Sequence, residues 1–315
     1  MKIIFYQWGH IGDGFFTKSF IKQFCELNDD HDISLMLKYN SFLFTDILNL
    51  KIIMPCNDNK YTNNDFNGKN YDPFNNIIVD NDEYLINNNI VEEPFPDIFY
   101  RLYNDVLYIK TWFGIISNYD ITDYMDCDIG KFNIYFNNII NDINNKYNFN
   151  LKLINNIDLL PTIPKTDIYE FLNFKNNKKI IFYYNFYGNA HQKFNIDHDD
   201  NIIKLSNKYP DYFICCALKP NVSNYNIISI ENFNYIKDPS CKNITNAYYC
   251  AINSDIVYSF DTGACFYYLN NDFNDTFQGI WYHVQSVDDN RYYIRINDRL
   301  KNDRVISVLN KNIHT

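Results

Sequence analysis

A chain of 315 residues with 46% hydrophobic content can bury a large core and is long enough for two domains. Its formal charge of −10 and pI near 5.0 argue against a nucleic-acid or anionic-membrane footprint, because such binders need a basic face; a local basic patch stays open, but none stands out as a run. Lys and Arg are scattered, with mild clusters only at "KNNKK" and "RINDRLKNDR".

Asparagine and isoleucine are heavily used, together with 28 tyrosines and 26 phenylalanines. Large apolar residues recur even through "NIYFNNIINDINNKYNFN", so this reads as a compositional bias over a globular pattern and not as disorder. On that reading a single Asn, Asp, Ile, Lys or Tyr carries little information. No stretch of roughly 18 uncharged apolar residues occurs, so no transmembrane span is expected. The N-terminus lacks the pattern of a signal peptide, which makes a cytoplasmic protein the expectation. The eight cysteines are dispersed, several in apolar runs and none with CxxC spacing. They predict buried free thiols, not a zinc or dithiol site.

In chain order, "KIIFYQW" predicts a first strand, and "GHIGDG" (Gly9 to Gly14) a glycine turn. A helix is predicted over Phe15 to Leu27, with Phe16, Phe20, Ile21, Phe24 and Leu27 on one face. "DISLML" predicts a strand, "SFLFTDILNL" a short helix, and "KIIMP" and "NNIIVD" further strands. Residues 57–76 read as loop and "IFYRLYNDVLYIKTWFGI" as a helix, followed by a Pro-punctuated linker around 158–177. From Lys179 a second set begins. "KIIFYYNF" echoes "KIIFYQWG" and runs into the loop "YGNAHQKF". The helix "DHDDNIIKLSNKYP", the strands "DYFICCA" and "YNIISI", the helix "CKNITNAYYCAIN" and the strand "SDIVYSF" follow. The turn "DTGACFYYLN" is expected to open another helix. The end of the chain holds a β-like "RYYIRI" and a terminal helix "DRVISVLNKN".

Strands entered after helices imply parallel sheets covered on both faces. The expected class is α/β, with two Rossmann-like domains facing across a cleft: residues 1–165, and residues 166–315 including a terminal extension.

At "SDIVYSFDTGA" a strand ends in Asp-Thr-Gly before a helix. Such a turn offers backbone N–H groups to a diphosphate, with Gly263 allowing close approach and Thr262 capping or donating. This stretch resembles the "ADLVIGSDTGPMHLA" region of the ADP-heptose:lipopolysaccharide heptosyltransferases, glycosyltransferase family 9, which have the GT-B fold. "GHIGDGFFTKSF" resembles that family's early G-D-x-x-x-T signature, and "YNFYGNAHQKFNID" its first C-terminal strand and donor-phosphate loop, with Lys193 and Phe194 as the matching pair. The three places occur in the family's order over roughly residues 1–270.

The resemblance implies a glycosyltransferase that moves a sugar from a nucleotide-diphospho-sugar to an acceptor hydroxyl. It implies Asp13 as general base, with His10, Gly12 and Gly14 on the acceptor side of the N-terminal domain. Asp261, Thr262, Gly263 and Ala264, with His191 and Lys193, would hold the donor in the C-terminal domain. No metal and no cofactor beyond the donor substrate is implied. The family's histidine three residues after that glycine is Phe266 here, which keeps open a catalytically inactive protein that binds a nucleotide sugar or a partner.

Other chemistries fit less well. Asp13 also reads as an N-cap of the following helix. Asp-x-Asp pairs at 30–32, 80–82, 126–128 and 197–199 leave a metal-dependent GT-A-type enzyme as a minor alternative, with "IIVDND" the best placed. The glycines fall G-x-x-G-x-G, not the dinucleotide order, and neither a P-loop GK[ST] after the glycines nor a G-x-S-x-G elbow is present.

Overall fold

The computed structural model describes residues 1–7, 11–37, 41–53, 99–111, 129–185, 196–233, 242–260, 268–285 and 304–309. The chain divides into two compact units, Met1–Pro164 and Lys165–Thr315.

In the first unit, β1 (Lys2–Gln7) pairs in parallel with β2 (Asp32–Leu37) on one side and β5 (Val106–Lys110) on the other. With β3 (Lys51–Ile53) and β4 (Tyr100–Tyr103) the described order is β3-β2-β1-β5-β4, and only β4 runs antiparallel. α1 (Ile11–Leu27) lies on the sheet through its phenylalanines. Phe20 and Phe24 meet Phe5 edge-on at 6.0 and 5.1 Å, while Phe16 and Phe20 stack on Phe132 and Phe136 of α2 (Ile129–Tyr147) at 5.4 and 4.7 Å. The aromatic stripe expected on α1 is thus a layer between sheet and second helix, each edge-to-face pair adding about 0.5–1.5 kcal/mol beyond its buried area.

The second unit is a parallel sheet of six described strands in the order β11-β10-β9-β6-β7-β8. These are β6 (Lys179–Tyr183), β7 (Tyr212–Cys216), β8 (Ile227–Ser229), β9 (Ile256–Phe260), β10 (Ile280–Gln285) and β11 (Val305–Leu309). Numbered from the first strand of the unit, this is 3-2-1-4-5-6, the doubly wound dinucleotide-fold order. The intervening helices are α3 (Tyr169–Lys175), α4 (His198–Lys208), α5 (Lys242–Ile252) and α6 (Asn271–Thr276). On one face Ile181, Tyr183, Ile214, Cys216, Tyr258 and Phe260 pack with Ile202 and Leu205 of α4. Elsewhere in this unit the buried Trp281 gathers Tyr184, Tyr268, Phe273 and Phe277 and donates from Nε1 to Ser259 Oγ at 2.7 Å. Gly279 makes this packing possible, since a Cβ there would stand 2.1 Å from the carbonyl oxygen of Asp255.

The two echoing "KIIFY" stretches occupy equivalent places. β1 and β6 are each the first strand of their unit and lie centrally in their sheets. Two α/β units with Rossmann-like sheets are therefore present, as expected. The expected buried thiols are seen at Cys25, Cys215, Cys216 and Cys250, and burial raises the thiol pKa of the first three, for Cys25 to about 12. The other four cysteines lie outside the described residues.

Four expectations about elements are corrected. The "IFYRLYNDVLYIKTWFGI" helix is in its described part a hairpin, β4–β5, because Asn104 and Asp105 both take positive φ (47° and 62°) in a two-residue turn. "SFLFTDILNL" reduces to a 3-10 turn at Ser41–Phe44. The terminal helix "DRVISVLNKN" is the strand β11, consistent with its β-branched Val305, Ile306 and Val308 and its parallel pairing with β10. Within the expected linker, residues 169–175 form α3.

The chain from 148 to 168 contains no described helix or sheet strand, yet its backbone is not idle. Asn144, Asn28, Asn137 and Gln23 each use one carboxamide to grip both the N–H and the C=O of Leu151, Lys152, Ile154 and Asn156, at 2.8–3.2 Å. Asn133 Nδ2 donates to the Ile157 carbonyl at 2.6 Å. Side chains of α1, of its C-terminal neighbour Asn28 and of α2 thus do what neighbouring strands do in a sheet, satisfying main-chain groups that would otherwise carry a desolvation cost. The reading of asparagine as low-information bias fails here.

Candidate functional site

In open α/β sheets, ligands bind outside the carboxyl ends of the strands where the strand order reverses. In the second unit that place lies between β6 and β9. The last residue of each, Tyr183 and Phe260, closes on His198, the first residue of α4, with ring centroids 5.7 and 4.9 Å from the imidazole. Asp197 caps α4 by accepting from Asp200 N at 2.9 Å, which fixes His198 at the helix start. Tyr183 Oη lies 3.1 Å from His198 Nδ1 and accepts from Asn201 Nδ2 at 3.3 Å. Burial pulls the His198 pKa down to about 4, with Asp199 and Asp197 opposing, and pushes the Tyr183 hydroxyl up, so both are neutral at pH 7. Beside them Asn185 holds the exit of β7, donating to Leu218 O at 2.9 Å and accepting from Leu218 N at 2.7 Å.

The first unit has the corresponding reversal between β1 and β5. Gln7 and Thr111 are buried at these carboxyl ends, with Gln7 Nε2 donating to Thr111 O at 3.4 Å and Thr111 Oγ1 to Tyr6 O at 3.1 Å. Lys110, at the last position of β5, is 3% exposed. Further along α1, Lys18 is fully buried, its Nζ 2.6 Å from both Asp46 Oδ1 and Thr162 O. Desolvation lowers its pKa to about 8 against the pull of Asp46.

The expected site residues fall as follows. α1 begins at Ile11, four residues earlier than expected, so Gly12, Asp13 and Gly14 lie in its first turn. Asp13 is the third helical residue and not the N-cap; its side chain lies outside the described residues. Gly14 is buried, and a Cβ on it would sit 3.6 Å from Phe44 and 3.7 Å from Leu43, so it packs against the 3-10 turn. We expect Gly14→Ala to leave the fold intact and raise stability by about 0.5–1 kcal/mol, since the contacts are ordinary and a helical glycine is replaced. A lower melting temperature for this variant would show that the helix start is under a constraint the packing does not reveal. His10, His191, Lys193, Asp261, Thr262, Gly263 and Ala264 lie outside the described residues. In sequence they leave β1, β6 and β9, the strands at the two reversals.

His198, Asn201, Lys110 and Lys18 were not singled out from sequence. The only signal was the "DHD" at 197–199, read as a chance metal pair. Here Asp197 is a cap, His198 is buried, and Asp199 accepts from Asn221 N and Nδ2 at 3.2 and 3.1 Å. At 30–32, Asp30 pairs with His31 and Asp32 with Lys51. The pairs at 80–82 and 126–128 lie outside the described residues, among which no three-residue His/Cys/Asp/Glu group of metal-binding shape occurs.

The buried histidines set a pH dependence. His283 of β10 is also buried, and its pKa is likewise pulled down to about 4. Each binds a proton more readily unfolded (near 6.5) than folded, so stability is full above about pH 6.5 and falls as pH drops towards 4. By pH 5 the loss is on the order of 2 kcal/mol for each. Thermal melts at pH 7.5, 6 and 5 check this, and a flat melting temperature across that range would contradict it.

No protein-family model matches the chain, and no curated protein matches it significantly. Among solved structures, the chain is similar over 98% of its length to E. coli ADP-heptose LPS heptosyltransferase II, covering 90% of that chain at 8% identity with a TM-score of 0.43. It is also similar over 98% of its length to a glycosyl transferase family 9 protein from Veillonella parvula DSM 2008, covering 86% of that chain at 11% identity with a TM-score of 0.46. At these scores neither similarity supports a step of the functional reading, which rests on strand order and side chains.

Proposed function

We propose that the chain is a glycosyltransferase that moves a sugar from a nucleotide-diphospho-sugar to an acceptor hydroxyl. The observation that carries this reading is the 3-2-1-4-5-6 order of the second unit, whose reversal lies between β6 and β9. In such sheets the crevice beyond the strand ends receives nucleotides. The segments following these two strands hold His191 and Lys193, and Asp261, Thr262, Gly263 and Ala264. In this reading backbone N–H groups of the 261–264 turn and the Lys193 ammonium bear the charge of the departing diphosphate. Asp13 takes the acceptor proton as the glycosidic bond forms, and the nucleoside diphosphate leaves with the electron pair of the broken bond.

A second reading, a binder without turnover, is favoured by Phe266 at the position of the family histidine. Calorimetric titration with ADP-, GDP- and UDP-linked sugars separates these readings, followed by nucleoside diphosphate release assays on any binder. Binding with release in the presence of an acceptor supports the enzyme, and binding without release supports the second reading. If no nucleotide sugar binds, the enzyme and a nucleotide-sugar binder both fail, which leaves only a binder of another partner. Among the described residues no helix is long and apolar enough to cross a membrane.

A further inference from the structure

The "KNNKK" cluster stands apart from the reaction proposed above. It closes α3 and opens β6, at the amino end of that strand, while Tyr183 marks the opposite, carboxyl end. Around it lies an open groove of about 580 Å³, lined by Tyr169, Leu172 and Asn173 together with Lys175, Lys178 and Lys179. Asn177, at φ 64°, turns the chain so that the last two lysines follow directly on the helix.

Three properties of this face are unusual for a chain of net charge −10. First, none of its three lysines forms an ion pair among the described residues. Of the carboxylates nearby, Asp167 accepts from Tyr169 N and Asp255 from Ile180 N, at 2.8 and 2.7 Å, while Glu170 of α3 and Asp211 before β7 add negative charge at the rim. Second, two of the three ammonium groups are carried on aromatic rings. Lys178 Nζ lies 3.6 Å from the Phe174 centroid and 5.1 Å from Phe213, and Lys179 Nζ lies 5.4 Å from Tyr212. Third, Tyr169 and Leu172, one turn apart on α3, are 67% and 42% exposed.

We propose that this face docks on an anionic phospholipid bilayer. Lysine ammonium groups suit lipid phosphates, an exposed tyrosine suits the headgroup level, and an exposed leucine suits the acyl boundary. A peptide partner is less well served, because β6 is an inner strand and offers no free edge, and the groove is shallow. Charge complementarity commits the surface to an anionic leaflet and makes its attachment reversible and salt-sensitive. In this orientation the β6–β9 reversal, at the other end of the strands, points away from the lipid.

The test is co-sedimentation of the full chain with vesicles of phosphatidylcholine, with and without phosphatidylglycerol, at 50 and 500 mM salt. Binding is expected only with phosphatidylglycerol and only at low salt. It should weaken about 25-fold for each lysine reversed in K175E, K178E and K179E, since each reversal changes the charge by two units at about fivefold apiece. The pair Y169S/L172S should weaken it with no loss of melting temperature, since both side chains are largely exposed. Absence of sedimentation with phosphatidylglycerol at 50 mM salt overturns the proposal. So does binding that the lysine reversals leave unchanged, or capture of a single-stranded oligonucleotide or an acidic peptide by these lysines without vesicle binding.

Discussion

Asp13→Asn is expected to lower the rate of sugar transfer by about 10²–10⁴-fold while donor affinity and melting temperature stay at the parent values. Asparagine keeps the size of the side chain and its hydrogen-bonding reach but cannot accept the acceptor proton. Asp13 is the third residue of α1, which starts four positions after the last residue of β1, one of the two strands at the reversal in the first unit. A carboxylate in the first turn of a helix is favoured by the partial positive charge there, so the anion needed for base catalysis is compatible with its helix. The donor in the proposed mechanism is held by the other unit, which is why its affinity should not move. Single-turnover rates with saturating donor, measured beside calorimetric affinity, separate the two quantities. A variant that transfers at the parent rate removes Asp13 from the mechanism and leaves the rest of the proposal standing.

The second large effect is structural. Asn28→Ala is expected to destabilise the first unit by roughly 2–4 kcal/mol, because it strands two part-buried main-chain groups at about 1–2 kcal/mol each. The buried carboxamide accepts from Lys152 N at 2.8 Å and donates to Lys152 O at 3.1 Å, with a further bond to Phe24 O at 3.0 Å. In a unit of this size the loss corresponds to a fall in melting temperature of roughly 5–15 °C. Asn28→Asp should not rescue it, since the carboxylate accepts but no longer donates. The exposed Asn173→Ala serves as the matched control, expected within about 0.5 kcal/mol of the parent. If Asn28→Ala melts with the control, the strap is held by its buried Leu151 and Ile154 and not by the amides.

Much of the architecture was legible because parallel sheets bury both faces, and their strands therefore read as short apolar runs. "KIIFY" announced itself twice, and its two copies hold the same place in two sheets. The hairpin was missed because aromatic residues spaced along "IFYRLYNDVLYIK" match helical as well as strand spacing. The turn signal was the dipeptide Asn104-Asp105, hard to weigh in a chain full of Asn and Asp. β11 was hard to read for another reason: "VISVL" is a five-residue, mostly apolar run between polar flanks, short enough to fit a helix end as well as a strand.

The site was legible only as far as strand ends. Sequence pointed to the segments after β1, β6 and β9, but His198 becomes notable only once Tyr183 and Phe260 are brought against it. Lys18 and Asp46 likewise meet through folding, and Thr162, whose carbonyl accepts from Lys18 and whose hydroxyl donates to Asp46, is 144 residues beyond Lys18. The amide grips could not be read at all. Asn28 and Gln23 find their main-chain partners 124 and 133 positions away, a separation that no local pattern encodes.

That strap has a further consequence for how the protein behaves in a crowded solution. Extended chain with unpaired N–H and C=O groups is a template for a strand of another molecule, and proteins usually guard such edges with charge, proline or a covering helix. At Leu151, Lys152, Ile154 and Asn156 both groups are already occupied by side-chain amides of the same unit. The segment lies outside both sheets yet offers nothing for an incoming strand to pair with at these residues. An asparagine-rich, tyrosine-rich chain is the kind in which intermolecular β-pairing is a hazard. Here some of those same asparagines remove one place where it would begin.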